Sequence, residues 1–533
     1  MKVTILDGYI DEPACLGVPP FISPQVRAAA GAAISAGADV EYITIDKIRK
    51  NEVELNSDVT LFMSGNAVPG KYLRAMPASK KEVLEISLSI PGISILGGPA
   101  TLDAEMCSSF DYSSKNDPAV SLNEILKREE VSQRWRTLEE WNEWQIKGAY
   151  IVKDHPDFPD PLIAEVESYR GCVRYKSGGC SFCIEPLKGK PLFRQPSDII
   201  KECAKLTEYG VHNFRIGGQS CIISYMADLN SGDPPRPNPD AVKELFSGLS
   251  KLNPKVLHVD NANPAVISTY PEESRKIIKT LVTYCTSGNV LALGLESSDP
   301  QVISANNLNS SAEQTLEAIK IINEEGSDIG NNGVSKLLPG LNFISGLDGE
   351  NKNTNELNIN LLNDILNNNL LLRRINLRQV IPLRKEYKKS DKHSFIKFKE
   401  RVREDIDQPM LKKMFPEGRI LKDVYVELHD GNLTFGRQIG SYPILICIPY
   451  KTELNRFTDV AVVDWGYRSI TAVEFPLRIN ECSIKALESL PGCGRKRAAK
   501  IFISRPLSNL EALSKIIDDV NVVERIKDII VFE

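Results

Sequence analysis

A chain of 533 residues exceeds what one hydrophobic core supports, so about two to four domains are expected. Its 42% hydrophobic and 25% charged residues are ordinary for a globular protein, and a formal net charge of −5 excludes a globally basic nucleic-acid binder, leaving any basic surface to local patches. No apolar run reaches the roughly eighteen residues of a membrane-spanning helix, and the start Met1-Lys2-Val3-Thr4-Ile5-Leu6-Asp7 reads as a strand rather than a signal peptide, so a cytoplasmic location is expected.

In chain order, residues 1–110 alternate strands (3–6, 40–45, 59–64 and 93–96) with helices such as the Ala-rich 24–36, and Gly97-Gly98-Pro99 follows the last strand. This pattern predicts a small doubly wound α/β domain. The loop-rich stretch 7–20 faces the end where such folds place ligands. Residues 111–160 read as a helical connector, with one helix over 137–147. Over 161–383, apolar β-like segments recur six times, at 163–168, 213–216, 256–259, 290–294, 337–344 and 374–381, mostly separated by helices. Six strand–helix units predict a partial (β/α)6 barrel. Residues 384–414 form a basic, mostly helical bridge carrying Arg384, Lys385, Lys388, Lys389, Lys392, Lys397, Lys399, Arg401 and Arg403. Residues 415–478 read as all-β, with Asp430-Gly431-Asn432 as a hairpin turn, and 479–533 as helical.

Eight of the eleven cysteines are scattered singles, the pattern of reduced, buried thiols. The exception is Cys172, Cys180 and Cys183, with seven and then two residues between them, in a loop that also holds Gly171, Gly178 and Gly179. Three thiolates on a loop fit either an iron–sulfur cluster with one open iron or a zinc site. Zinc wants a fourth ligand, for which His155 and His212 are poorly placed in sequence.

The cysteine segment resembles the radical S-adenosylmethionine superfamily, whose pattern is CxxxCxxC with an aromatic before the last cysteine. Phe182 matches the aromatic; the longer first gap is a departure. Further segments follow in the family's order. Gly217-Gly218-Gln219 resembles the Gly-Gly-Glu motif, whose backbone receives the methionyl amino group, with Gln219 in place of the acid. In Leu293-Gly294-Leu295-Glu296-Ser297-Ser298-Asp299-Pro300, the resemblance implies that Glu296 meets the ribose hydroxyls or methionyl part and that Ser297 assists. Asn307-Leu308-Asn309-Ser310-Ser311 and Asn342-Phe343-Ile344-Ser345-Gly346-Leu347 echo later family segments. Arg378-Gln379-Val380-Ile381-Pro382 ends the last strand, where Ile381 or Val380 would stack on adenine. The resemblance implies a [4Fe–4S] cluster on Cys172, Cys180 and Cys183, S-adenosylmethionine at its open iron, a 5′-deoxyadenosyl radical, and an electron donor such as flavodoxin or ferredoxin.

The N-terminal domain resembles a cobalamin-binding domain through Ile95-Leu96-Gly97-Gly98-Pro99-Ala100, but it lacks the Asp-x-His-x-x-Gly motif and has no histidine before His155. This leaves open cobalamin held without histidine, an auxiliary cluster needing a ligand besides Cys15 and Cys107, or a docking role. Residues 415–478 resemble the OB-like TRAM barrel through Val424–Leu428 and Gly436-Arg437. Leu490-Pro491-Gly492-Cys493-Gly494 resembles a helix–hairpin–helix turn, in which backbone N–H groups of Gly492 and Gly494 and the side chains of Arg495, Lys496, Arg497 and Lys500 would meet phosphate. The order resembles an archaeal-type radical S-adenosylmethionine group. The expected activity is methylation or methylthiolation of a nucleotide in tRNA or rRNA. The alternatives are radical chemistry on a protein or small molecule, and a non-enzymatic zinc-dependent nucleic-acid binder.

Overall fold

The structure is a computed structural model that describes residues 1–10, 21–65, 72, 74–387 and 391–533. Cys15, the loop 11–20 and the bridge residues Lys388 and Lys389 lie outside the described residues. The chain forms two compact units. One comprises Met1–Tyr175, Leu187–Ser231 and Pro235–Asp260; the other comprises Lys176–Pro186, Gly232–Pro234 and Asn261–Glu533.

The first unit contains two sheets. Strands β1 (Lys2–Asp7), β3 (Asp39–Thr44), β4 (Val59–Met63), β5 (Ile93–Gly97) and β6 (Tyr112–Ser113) pair in parallel in the order β3-β1-β4-β5-β6. Their apolar runs are buried on both faces, as parallel strands require. The two-residue β2 (Phe21–Ile22) instead joins the second sheet, in register with β7 (Ile163–Glu167). Two residues are too few for a periodic pattern, so the sequence reads them as loop. A short antiparallel pair, β8 (Tyr169–Arg170) and β9 (Leu192–Phe193), follows. With β10 (Asn213–Gly217) and β11 (Val256–Val259), the second sheet has the order β11-β10-β7-β2.

The helix Pro24–Ser35 is packed against the helices Pro118–Leu126 and Leu138–Lys147. Its small residues allow a close approach: a Cβ on Gly148 would lie 1.8 Å from the carbonyl oxygen of Arg27, which the backbone cannot yield. Gly148→Ala should therefore cost on the order of 3 kcal/mol, read as a Tm lower by several degrees, and an unchanged Tm would contradict this packing. Arg27 itself is buried, bonding Glu202 and the backbone oxygen of Glu165; Arg194 takes the other oxygen of Glu202 at 2.6 Å.

In the second unit, β12 (Asn289–Glu296), β13 (Leu337–Ser345) and β14 (Arg374–Gln379) form a parallel sheet. The six strands expected from the strand–helix repeat are thus present, three in each unit, and the class is α/β with a parallel-sheet core. Helices Lys392–Val402 and Gln408–Met414 flank a π-helical turn, Arg403–Asp407. A closed barrel follows: β15 (Ile420–Asp430), β16 (Leu433–Gln438), β17 (Leu445–Ile448), β18 (Phe457–Trp465) and β19 (Ser469–Phe475), in the order β15-β16-β17-β19-β18, with β17 and β19 parallel. This is an OB-like arrangement of five strands. Arg437 lies inside it, paired with Glu427 at 2.5 Å, so its role is to hold β15 to β16. Four helices, Ile484–Ser489, Gly494–Ile503, Leu510–Ile516 and Val520–Ile526, end the chain, clasped by the parallel pair β20 (Leu477–Arg478) and β21 (Ile530–Val531). Among the described residues no helix is long and apolar enough to cross a membrane.

Candidate active site

The β8–β9 pair closes the base of a loop, residues 171–191, that carries all three clustered cysteines. In the first unit, Tyr169 anchors this base to the turn after β10: its hydroxyl donates to the Cys221 carbonyl at 2.7 Å and accepts from the Cys221 N–H at 2.8 Å. Ser220 Oγ donates to the Gly171 carbonyl at 3.1 Å. The structure thereby stitches the Gly217-Gly218-Gln219 turn to the residue preceding Cys172. Arg170 is held over Trp135 and Trp141, at 4.9 and 5.5 Å from the ring centroids. Such cation–π contacts fix its orientation beside the loop.

Both glycines of the turn are dictated by packing against β7. A Cβ on Gly217 would fall 2.1 Å from Glu165 Oε1, and one on Gly218, whose φ is +73°, would fall 2.9 Å from Glu167 Cγ. Burial pushes the Glu167 carboxyl up from its ordinary range, against the pull of Arg136, Lys188 and Arg194. Gln219 turns its amide inward. Nε2 donates to the carbonyls of Ile216 at 3.0 Å and Asp260 at 2.9 Å, and Oε1 accepts from Ser168 Oγ at 3.3 Å. Its side chain holds strand ends together, and the backbone of the turn is what remains for a ligand.

In the second unit, Cys180 and Phe182 pack with Ile344, Val380 and Tyr387 around Val302, Leu308 and Leu347. This seats the loop beyond the carboxyl ends of β13 and β14, the end at which barrel folds place their sites. The loop backbone is clamped. Arg384 Nη1 donates to the carbonyls of Gly178, Cys180 and Cys183 at 2.9, 2.9 and 3.1 Å. Asn307 Nδ2 donates to those of Ser177 and Gly179 at 3.0 and 2.9 Å. In the sequence Arg384 is one more cation in a basic run; its partners lie some two hundred residues upstream, and no local signal marks them.

Glu296 ends β12 in the left-handed region, at φ +69°, where the register with β13 slips by a residue. A non-glycine residue held there is a strained conformation characteristic of functional sites. Its carboxyl folds back toward Gly294. Burial pushes its pKa up to about 8, with Arg378 opposing. Nearby Asn309 has a buried Oδ1 without a hydrogen-bond partner among the described residues, while its amide nitrogen lies beside Gly294. A desolvated carboxyl and an orphaned amide oxygen fit a polar ligand that supplies hydroxyl and amino donors. Ser297 Oγ accepts from the Asp299 N–H at 3.2 Å and shapes the turn that caps helix Pro300–Ala305. Ile381 is 59% exposed just past β14, while Val380 belongs to the cluster under the cysteine loop.

The Glu296 shift has a thermodynamic sign. Folding retains a proton on this carboxyl up to about pH 8, whereas the unfolded chain releases it near 4.5, so the group costs stability as pH rises through that window. Glu296→Gln should remove on the order of 2 kcal/mol of this cost by the alkaline end of the window. Tm measured against pH should fall less steeply for the variant than for the wild type; parallel profiles would contradict the assignment.

Cys172, Cys180 and Cys183 are all half-buried, and the described cysteines form no disulfide. Cys172 Sγ accepts from the Arg174 N–H at 3.5 Å. By contrast, burial pushes the thiols of Cys203 and Cys285 far up and that of Cys493 to about 11, which keeps them protonated. Among the described residues no three His, Cys, Asp or Glu side chains already converge as a ligand set, so the clustered thiols are not drawn together into a metal site. Three accessible sulfurs on a loop fit the donor set of an iron–sulfur cluster with one iron open.

At the carboxyl end of β1 and β3, Tyr42 donates to Asp7 at 2.7 Å and Tyr9 to Asp46 at 2.9 Å, and both rings pack on His155, with centroids at 6.5 and 6.4 Å. His155 arrives from the connector, which the sequence could not reveal. Burial, then Arg74, lowers its pKa to about 3 and keeps it neutral. In the C-terminal helices, Gly492 and Gly494 adopt φ of +74° and +54° before helix Gly494–Ile503. Arg495, Lys496 and Lys500 are exposed. Arg497 is tied down, donating to the Gly492 carbonyl at 2.7 Å and to Asp518 at 3.0 Å.

Residues 166–357 match the Radical SAM superfamily model. A strand-end glycine turn, a cysteine loop and a strained glutamate inside a matched domain define a radical S-adenosylmethionine protein, and the chain belongs to that superfamily. It is 45% identical over 503 residues to the uncharacterized protein MJ0274 of Methanocaldococcus jannaschii, covering 88% of this chain and 92% of that one. A shorter stretch of 91 residues is 39% identical to a tRNA-2-methylthio-N(6)-dimethylallyladenosine synthase of Nocardia farcinica, covering 16% of this chain and 18% of the relative. The solved structure of the cobalamin-dependent S-adenosylmethionine radical enzyme OxsB aligns with 68% of this chain and 51% of its own, at 15% identity and a TM-score of 0.47. Membership in the superfamily supports an enzyme that uses S-adenosylmethionine and an iron–sulfur cluster.

Proposed function

We propose that this protein is a radical S-adenosylmethionine enzyme that methylates or methylthiolates a nucleotide in tRNA or rRNA. The observation that carries the RNA reading is the closed OB-like barrel joined to the radical domain, a fold that binds single-stranded nucleic acid through charge and stacking. The partial likeness to a tRNA methylthiolating enzyme supports the same substrate class.

Cys172, Cys180 and Cys183 would hold a [4Fe–4S] cluster, with S-adenosylmethionine beside it. Together, when bound, they supply a reducing electron and a sulfonium carbon–sulfur bond for it to cleave. The residues of the chain do the positioning. Arg384 and Asn307 hold the cysteine loop in shape, and the backbone of Gly217 and Gly218 offers carbonyls to an amino group. The Glu296 carboxyl keeps its proton in the empty, desolvated pocket and becomes an acceptor when hydroxyl donors replace that environment. Val380 and Ile381 give an aromatic base an apolar surface. The reading does not call on cobalamin: the described end of the N-terminal sheet is filled by Tyr9, Tyr42 and His155. We assign the exposed turn Gly492–Lys496 and Lys500 to RNA phosphate contact, as a helix–hairpin–helix.

Salt-titrated binding of bulk tRNA and rRNA to the anaerobic full-length protein tests the substrate class. Tight binding at low salt, weakened about tenfold by Arg495→Ala with Lys496→Ala, is expected. No RNA binding at low salt would point to a protein or small-molecule target, and zinc without iron in the purified protein would overturn the radical chemistry.

A further inference from the structure

A cluster of cations gathers in the second unit at the amino-terminal end of β14, opposite the end that carries Val380 and Ile381. Arg373 and Arg374 enter the strand there, the first 5.8 Å from the ring centroid of Phe415 and the second 4.1 Å from that of Tyr442. Lys399 comes from helix Lys392–Val402 and Arg403 from the π-turn, and Arg403 also donates to the Ile375 carbonyl at 3.2 Å. Arg468 comes from the exposed β18–β19 turn, next to Tyr467.

These cations oppose one another. Arg373 lies within electrostatic reach of Arg374 and Arg468, and Lys399 within reach of Arg403 and Arg468. Asp407 is the carboxylate that faces Arg373, Arg403 and Arg468, and it is bonded to Arg403. The neighbouring acid Asp405 is turned to Arg401, at 3.6 Å. Burial first, then Arg374 and Arg468, draws the Arg373 guanidinium down to about 10, and burial with Arg403 and Arg468 lowers Lys399. Arg403 Nε is buried with no hydrogen-bond partner among the described residues.

Gathering five cations around one carboxylate costs stability unless an anion completes the set. The π-turn that presents both Arg403 and Asp407 is a distortion that proteins retain mainly at functional sites. Aromatic groups are interleaved with the charge. Lys412 lies 5.7 Å from the Trp465 ring centroid, and Tyr467 is 56% exposed.

We propose that Arg373, Lys399, Arg403 and Arg468 form a second RNA contact that takes backbone phosphodiester groups, with Tyr467 offering a stacking face for a base. This rests on the RNA reading above and adds to it a site remote from the chemistry. From Arg374 to Gln379 β14 rises about 17 Å, so the contact would position the RNA and leave the reactive end untouched. Phosphate contacts of this kind set register and affinity.

The test is salt-titrated binding of a labelled single-stranded RNA to the full-length protein. Lys399→Ala with Arg468→Ala, two exposed positions, should weaken binding about tenfold and reduce the log–log salt slope by about one to two, with Tm unchanged. Asp407→Asn should tighten binding a few-fold by removing the opposing charge, a gain that a purely structural ion pair would not give. Wild-type affinity and slope in the double variant would overturn the proposal while leaving the RNA reading intact. No RNA binding by the wild type would instead sink the RNA reading itself. Inorganic phosphate that raises the Tm of the wild type but not of the double variant, with RNA binding unchanged, would assign the cluster to a small free anion and likewise overturn it.

Discussion

Cys180→Ala and Cys183→Ala should each leave the anaerobically reconstituted protein without visible iron–sulfur absorbance and without detectable cleavage of S-adenosylmethionine, while its fold persists. The expectation rests on what surrounds the sulfurs. Both thiols are half-buried on a loop whose backbone is held by Arg384 and Asn307, bonds that the thiol groups do not take part in. Truncating a half-buried Cys to Ala removes one sulfur from the packing and costs about 1 kcal/mol or less. Loss of a ligand is total by comparison. Cys203→Ala and Cys285→Ala are the controls: both thiols are kept protonated by burial, and both variants should load iron and sulfide like the wild type. A Cys172→Ala, Cys180→Ala, Cys183→Ala triple variant that still bound a full complement of iron and sulfide would contradict the ligand assignment.

Arg384→Ala should be nearly as damaging, although Arg384 is no ligand. One guanidinium nitrogen serves three carbonyls of the cysteine loop, and a charge-assisted hydrogen bond contributes about 1.5–3 kcal/mol. Without it the loop loses its shape before any cluster can bind. Cluster occupancy should fall below about a tenth of wild type, and limited proteolysis should cut within 176–186. Arg384→Lys should recover only part of the occupancy, because a flexible ammonium lacks the rigid fork of a guanidinium. Asn307→Ala should be milder, since it removes two neutral bonds. An Arg384→Ala protein that loads a full cluster and resists protease would show that the loop is held by something else.

The parts of this molecule legible in the sequence are those set by local rules. Alternation of apolar runs with helical segments marks β1, β3, β4 and β5 and the six strands from β7 to β14, because a parallel strand buried on both faces must be apolar throughout. The cysteine spacing and the glycines after β10 are equally local. The rest depends on contacts distant in sequence. Arg384 reads as a solvated cation until its partners at 178, 180 and 183 are known. Gln219 reads as a substitute acid, yet its amide is spent on the carbonyls of Ile216 and Asp260. Arg497 reads as a phosphate ligand, yet Asp518, twenty-one positions on, holds it. His155 reads as a connector residue, yet it packs between Tyr9 and Tyr42. The π-turn at Arg403–Asp407 follows no periodicity at all.

The central claim, radical modification of RNA, is tested most directly by mass spectrometry of nucleosides from the tRNA and rRNA of cells lacking the gene. The cells are complemented with the wild type or with Cys180→Ala. One modified nucleoside should be missing, restored by the wild type and not by the variant. RNA whose nucleosides are identical in all three strains would contradict it.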